Sequence, residues 1–88
     1  MYDEIAVTAY SGSRGEETPR SFTLFGEQVE VIEIVERWVE EDFLERKRRR
    51  FFRVRGGDGY THILCHDEIR GTWSIRKSGP KPIQSKRL

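Results

Sequence analysis

The chain predicts a mainly β fold, a small antiparallel β-meander rolled into a half-open barrel. Three observations carry that expectation. Short stretches of alternating apolar and polar residues recur between residues 20 and 76, glycine-bearing turn signals separate them, and the one segment that also fits a helical repeat lacks an N-cap. The 88 residues suffice for one domain, and a chain of this length buries roughly 60–65% of its unfolded surface. Apolar and charged residues each make up 35% of it. The balance tips toward folding because of two Trp, three Tyr and five Phe, since a buried aromatic removes ~150–250 Å² from water.

In chain order, residues 4–10 alternate Ile5, Val7 and Ala9 with more polar neighbours, which suggests a short first strand. Residues 11–19 (SGSRGEETP) read as a flexible N-terminal loop. Phe22 and Leu24 alternate with Ser21 and Thr23 over residues 20–25, a half-buried strand, and Gly26-Glu27 permits a tight turn. Residues 28–41 (QVEVIEIVERWVEE) satisfy two templates. Val31, Val35, Trp38 and Val39 would share one helix face, yet Val29, Val31, Ile32, Ile34 and Val35 are β-branched and lose rotamer freedom in a helix. A long strand with a bulge near residues 32–34 is favoured.

Residues 42–49 form a charged connection in which Phe43 and Leu44 are placed to pack as a lid over the sheet edge, with room for one helical turn. From 50 to 55 the alternation puts Phe52 and Val54 on one face and Phe51, Arg53 and Arg55 on the other. Gly56-Gly57-Asp58-Gly59 is the strongest turn signal in the chain. Residues 60–65 return as its partner strand, 67–71 turn again, and 72–76 make a last strand around Trp73 and Ile75. The domain is therefore expected over residues 1–77, with its core at about 19–76, followed by a disordered basic tail over 78–88.

A formal net charge of +1 conceals a partition: residues 1–44 carry 3 Arg against 11 Asp or Glu, and residues 45–88 carry 13 Lys or Arg against 4. Adjacent acidic and basic strands that neutralise each other explain this most simply, and a basic surface that meets an anion is the alternative. A single cysteine, Cys65, precludes an internal disulfide and fits a reducing compartment. The first residues lack a signal-peptide pattern and no apolar run approaches the ~20 residues of a membrane helix, so a cytoplasmic location without membrane contact is expected.

The spacing Pro19-x-x-Phe22-x-Leu24-x-Gly26, then Trp38, then Arg48-Arg49-Arg50 leading into Phe52-Arg53-Val54, Gly59 and Trp73-Ser74-Ile75 resembles a small uncharacterised bacterial family that carries a domain of unknown function. It is also similar to a C-terminal segment of some Y-family polymerase-like proteins of DNA damage tolerance. There the shared features are Glu36-Arg37-Trp38, residues 48–54, Gly57-Asp58-Gly59 and Trp73. The likeness spans residues 19–76 and departs from the family pattern at Val39, where a second tryptophan often stands, and at Cys65-His66. It implies a strand over residues 28–38 and a connection to DNA repair, through motifs that report fold better than function.

Chemistry is sparse. His62-x-x-Cys65-His66 contains zinc-binding residue types, but on a strand Cys65 faces away from both histidines, which lie ~13 Å apart at ~3.3 Å per residue. No metal is expected; Cys65 reads as a packed small hydrophobe and the histidines as surface residues. Glu40, Glu41 and Asp42 read as a solvated acidic cluster, and the glycine turn does not lead from a strand into a helix as a phosphate loop must. The expectation is a monomeric, non-enzymatic binding domain without cofactors. A protein-interaction or accessory module comes first, with Phe43 and Leu44 as the partner patch. Nucleic-acid binding comes second, through the basic and aromatic hairpin formed by Arg46, Lys47, Arg48, Arg49, Arg50, Phe51, Arg53, Arg55 and Tyr60.

Overall fold

The computed structural model describes residues 2–12 and 17–76 of the chain. Seven strands run in order: β1 (Tyr2–Glu4), β2 (Val7–Ser11), β3 (Glu17–Leu24), β4 (Glu27–Asp42), β5 (Lys47–Gly56), β6 (Thr61–Asp67) and β7 (Thr72–Arg76). All pair antiparallel in one sheet of order β1-β7-β6-β5-β4-β3-β2, curled into a half-barrel. Among the described residues there is no helix, and hence none long and apolar enough to cross a membrane.

The N-terminal segment is two strands rather than the one expected, because it serves both edges of the sheet. β1 pairs with β7 and β2 with β3, so a chain only eleven residues in, at Ser11, has already touched both ends. Backbone bonds from Ile5 N to Trp73 O (3.1 Å) and from Thr23 N to Ala6 O (3.0 Å) carry the pairing across the join. This arrangement draws the two edges toward each other and curls the sheet around its apolar face. β3 also begins earlier than expected. Glu17, Thr18 and Pro19, expected in the loop, pair with Ser11, Tyr10 and Ala9, and a bulge between Thr8 and Ala9 accommodates the proline-bearing strand. Residues 13–16 of the expected loop and the whole of the expected tail, residues 78–88, lie outside the described residues.

Inside the half-barrel, Phe22, Val29, Phe52, Val54, Leu64, Trp73 and Ile75 form one core, with Ile5, Val7, Leu24, Val31 and Ile34 packed around it. Val54 and Leu64 are completely buried. The strand period explains the selection: Phe52 stands opposite Leu64, and Leu64 opposite Ile75, so alternate residues of β5, β6 and β7 point inward together.

Residues 27–42 are a strand throughout, as their β-branched residues favour. Two bulges interrupt it, with Ile32 and Val35 as extra residues opposite β5. The second lies one residue beyond the expected bend. Among the tight connections, Leu24–Glu27 is closed by Phe25 and Gly26, both at positive φ (52° and 79°). Gly59 (φ 89°) serves the turn after β5, where Gly59 N bonds Gly56 O at 3.0 Å. The connection between β4 and β5 is a four-residue turn, residues 43–46, without a helical turn. Phe43 and Leu44 at its tip are 84% and 97% exposed, so they cover nothing. The β3–β4 ladder stops at Ser21 and Glu30, so among the described residues no third strand pairs with β4 beside the turn.

Candidate interaction surface

β4 and β5 form the longest ladder of the sheet, and its register decides what the charges of both strands can do. Glu33 stands opposite Arg55, Glu36 opposite Arg53, Glu40 opposite Arg49, Glu41 opposite Arg48 and Asp42 opposite Lys47. The acidic half of the chain thus lies beside the basic half, and direct cross-strand neighbours of opposite sign stabilise a sheet.

Most of the candidate cations are used within the fold. Arg48 reaches Glu41 (2.7 Å) and Glu68 (2.9 Å), Arg53 reaches Glu36 (3.1 Å), Arg55 reaches Glu33 (3.2 Å) and Lys47 reaches Glu45 (3.0 Å). Arg50 pairs with Glu68 as well. Burial works to raise the Glu68 pKa, but the bonds and charges of Arg50 and Arg48 outweigh it and hold the carboxyl below its ordinary value. Hydrogen bonds from Arg48 to Glu41 and Glu68 raise the arginine in turn. Arg49 instead places its guanidinium over the Phe51 ring at 5.9 Å, and its buried Nε has no hydrogen-bond partner among the described residues. Arg46 sits in the turn at φ 56°, exposed.

The aromatic part of the candidate hairpin is divided. Phe51 is only 4% exposed: Trp38 stacks on it, Tyr2 meets it edge-on at 6.1 Å, and Cys65 lies opposite it on β6. A ring so covered offers no platform to a base. Tyr60 remains exposed and meets His62 edge-on at 6.5 Å. Cys65 is buried on this second face, and burial pushes its thiol up against the opposing charge of Arg49.

The histidines are not surface residues. His66 is 8% exposed and stacks on Trp73 at 4.5 Å, on the core side of β6; His62 bonds Asp58 at 2.9 Å and meets Phe22 edge-on. Both ends of the strand fall under the curl of the sheet, which a strand period alone does not reveal. Among the described residues no three His, Cys, Asp or Glu side chains converge in a way that would hold a metal ion.

One feature of the surface was not legible beforehand. β3 follows β4 only from Glu27 to Glu30, after which the two part. From Val31 to Asp42, β4 pairs with β5 on one side and with no other strand among the described residues. An open cleft of about 170 Å³ lies in the fork, lined by Glu17 and Thr18 of β3, Arg37, Trp38 and Val39 of β4, and Arg50, Phe51 and Phe52 of β5. Trp73 Nε1 donates to Glu17 at 3.2 Å and holds that wall in place. Glu17 drew no notice in the sequence because it was assigned to a loop. Trp38 stood out in the sequence as part of a possible helix face and of a family pattern, neither of which places it at a strand edge. No protein-family model, curated protein or solved structure matches this chain.

Proposed function

We propose that this protein is a non-enzymatic interaction module that receives an extended segment of a protein partner along β4, by strand addition. The single observation that carries this is the side of β4 that pairs with no other strand after Glu30 among the described residues, with the cleft at the fork to seat the incoming chain. An edge strand presents unpaired backbone N–H and C=O groups, which another chain can satisfy while side-chain neighbours set specificity. The bulges at Ile32 and Val35 break the edge near the barrel and leave Glu36 to Asp42 as its regular stretch. Phe43 and Leu44 lie directly beyond, where a partner that runs to the tip would cover them.

Nucleic-acid binding is supported less, since ion pairs engage Lys47, Arg48, Arg50, Arg53 and Arg55 and Phe51 is covered. One comparison separates the two. A random-peptide display library is selected on the immobilised full chain, and amide hydrogen exchange is measured with the enriched peptides bound. Slowed exchange concentrated in residues 36–42 is expected. Enrichment of peptides that protect some other surface, or shifts of amide resonances in residues 46–62 on adding single-stranded DNA or RNA at low salt, would overturn the proposal.

A further inference from the structure

We infer that the segment added to β4 is cationic, with Arg or Lys two positions to either side of an apolar residue; this rests on the strand-addition reading above. The fold itself displays the complement. On the inner side of β4, Glu36, Trp38 and Glu40 face Arg53, Phe51 and Arg49, a cation-x-aromatic-x-cation series in exact antiparallel register. A strand on the outer side meets the same three residues from the other flank.

The charges of that flank are not all spent. Glu36 and Glu41 are engaged by Arg53 and Arg48. Glu40 accepts a bond from Trp38 Nε1 (3.3 Å) and Asp42 accepts one from Glu45 N (3.1 Å), and among the described residues neither has a cation in ion-pair reach. Arg49, the residue opposite Glu40, has turned to the Phe51 ring instead. Between Glu36 and Asp42 the edge carries four carboxylates and one cation, Arg37, whose guanidinium lies over Phe52 at 6.0 Å. Glu17 adds a further carboxylate across the fork, one that already accepts from Trp73 Nε1 and has His66 Nε2 at 3.7 Å.

The same series argues against a second copy of the chain as occupant. Two antiparallel β4 strands related by a two-fold axis normal to the sheet must centre on one residue paired with its own copy. Centres at Glu36, Glu40, Glu41 and Asp42 place a carboxylate against itself, and a centre at Arg37 places the arginine against itself. Centres at Trp38 and Val39 set Glu36 opposite Glu40 and opposite Asp42 respectively, although the second also sets Arg37 opposite Glu41. Every centre along the regular edge therefore opposes like charges, which destabilises a sheet.

The test uses three synthetic peptides capped at both ends, TRTFTRT, its charge-reversed form TETFTET and the neutral TQTFTQT, titrated into the isotopically labelled full chain at low salt. The cationic peptide is expected to slow amide exchange in residues 36–42 and to bind about tenfold tighter than the acidic one. Glu40→Gln, which keeps an acceptor for Trp38, is expected to narrow that preference by about threefold. If all three peptides bind equally and protect residues 36–42, the cationic inference is overturned while strand addition stands. If none protects these residues, strand addition itself is overturned. A free chain that sediments as a dimer with residues 36–42 already protected would give the edge to a second copy and overturn the inference.

Discussion

Trp38 and Phe51 stand directly opposite each other on β4 and β5 and stack with their rings 6° from parallel and their centroids 5.2 Å apart. The Arg53 guanidinium lies over Trp38 and that of Arg49 over Phe51, each at 5.9 Å. The pair therefore lies on the second face of the sheet, apart from the main core, where Phe51 and Cys65 are buried.

Replacing Trp38 with Ala should destabilise the fold by about 1–2 kcal/mol, from the lost ring pair and the uncovered Phe51. Trp38→Phe should recover at least half of that. Urea denaturation of the three proteins measures both, and an unchanged midpoint for Trp38→Ala would show that the stack contributes nothing.

Phe25 combines two costs: its φ of 52° lies in the left-handed region, which a bulky side chain rarely adopts, and its ring is almost fully exposed. Asn tolerates that region and suits a two-residue hairpin turn. Phe25→Asn should raise stability by about 0.5–1 kcal/mol, seen as a higher melting temperature. A fall would mean that the ring makes a compensating contact.

Glu68 makes stability depend on acid. Its folded pKa lies below its unfolded value of about 4.3, so the unfolded state binds more protons in this range and stability rises with pH. The contribution is complete above the unfolded value and is lost as the pH falls through the folded one. Glu68→Gln should cost about 1 kcal/mol at pH 7 and flatten the dependence between about pH 5 and 3. Denaturation midpoints across that range decide it.

Gly56 has no room for a side chain. A Cβ there would stand 2.6 Å from the Asp58 carboxylate and 2.8 Å from Val29 in the core. Its neighbour Gly57 would meet nothing nearer than 3.7 Å. Gly56→Ala should cost about 1–3 kcal/mol and disturb the Asp58–His62 bond, whereas Gly57→Ala should stay within about 0.5 kcal/mol. Equal effects of the two substitutions in thermal denaturation would contradict this steric account.

Local pattern carried far in this chain. The hairpin around Gly56-Gly57-Asp58-Gly59, the strand around Trp73 and the inward Phe52 and Val54 all follow from alternation and turn chemistry, which are properties of neighbouring residues. The helix–strand ambiguity of residues 28–41 also resolved along local lines, because β-branching outweighed a helical stripe without a cap. The charge partition pointed correctly to acidic and basic strands side by side. Phe43 and Leu44 did not follow in the same way: nothing local says whether an apolar pair at a turn finds a surface to cover.

By itself, then, the sequence determined an antiparallel β domain, its later strands and the shared face of Phe52 and Val54, since each of these depends on period and propensity. The tertiary structure alone decided that residues 2–11 serve both edges of the sheet, that His66 is buried against Trp73 and that β3 leaves β4 after Glu30. These depend on how the sheet curls, which is set by contacts between residues as distant as Glu17 and Trp73. The candidate surface belongs to this second class, because a strand edge is open or closed according to where its neighbour goes.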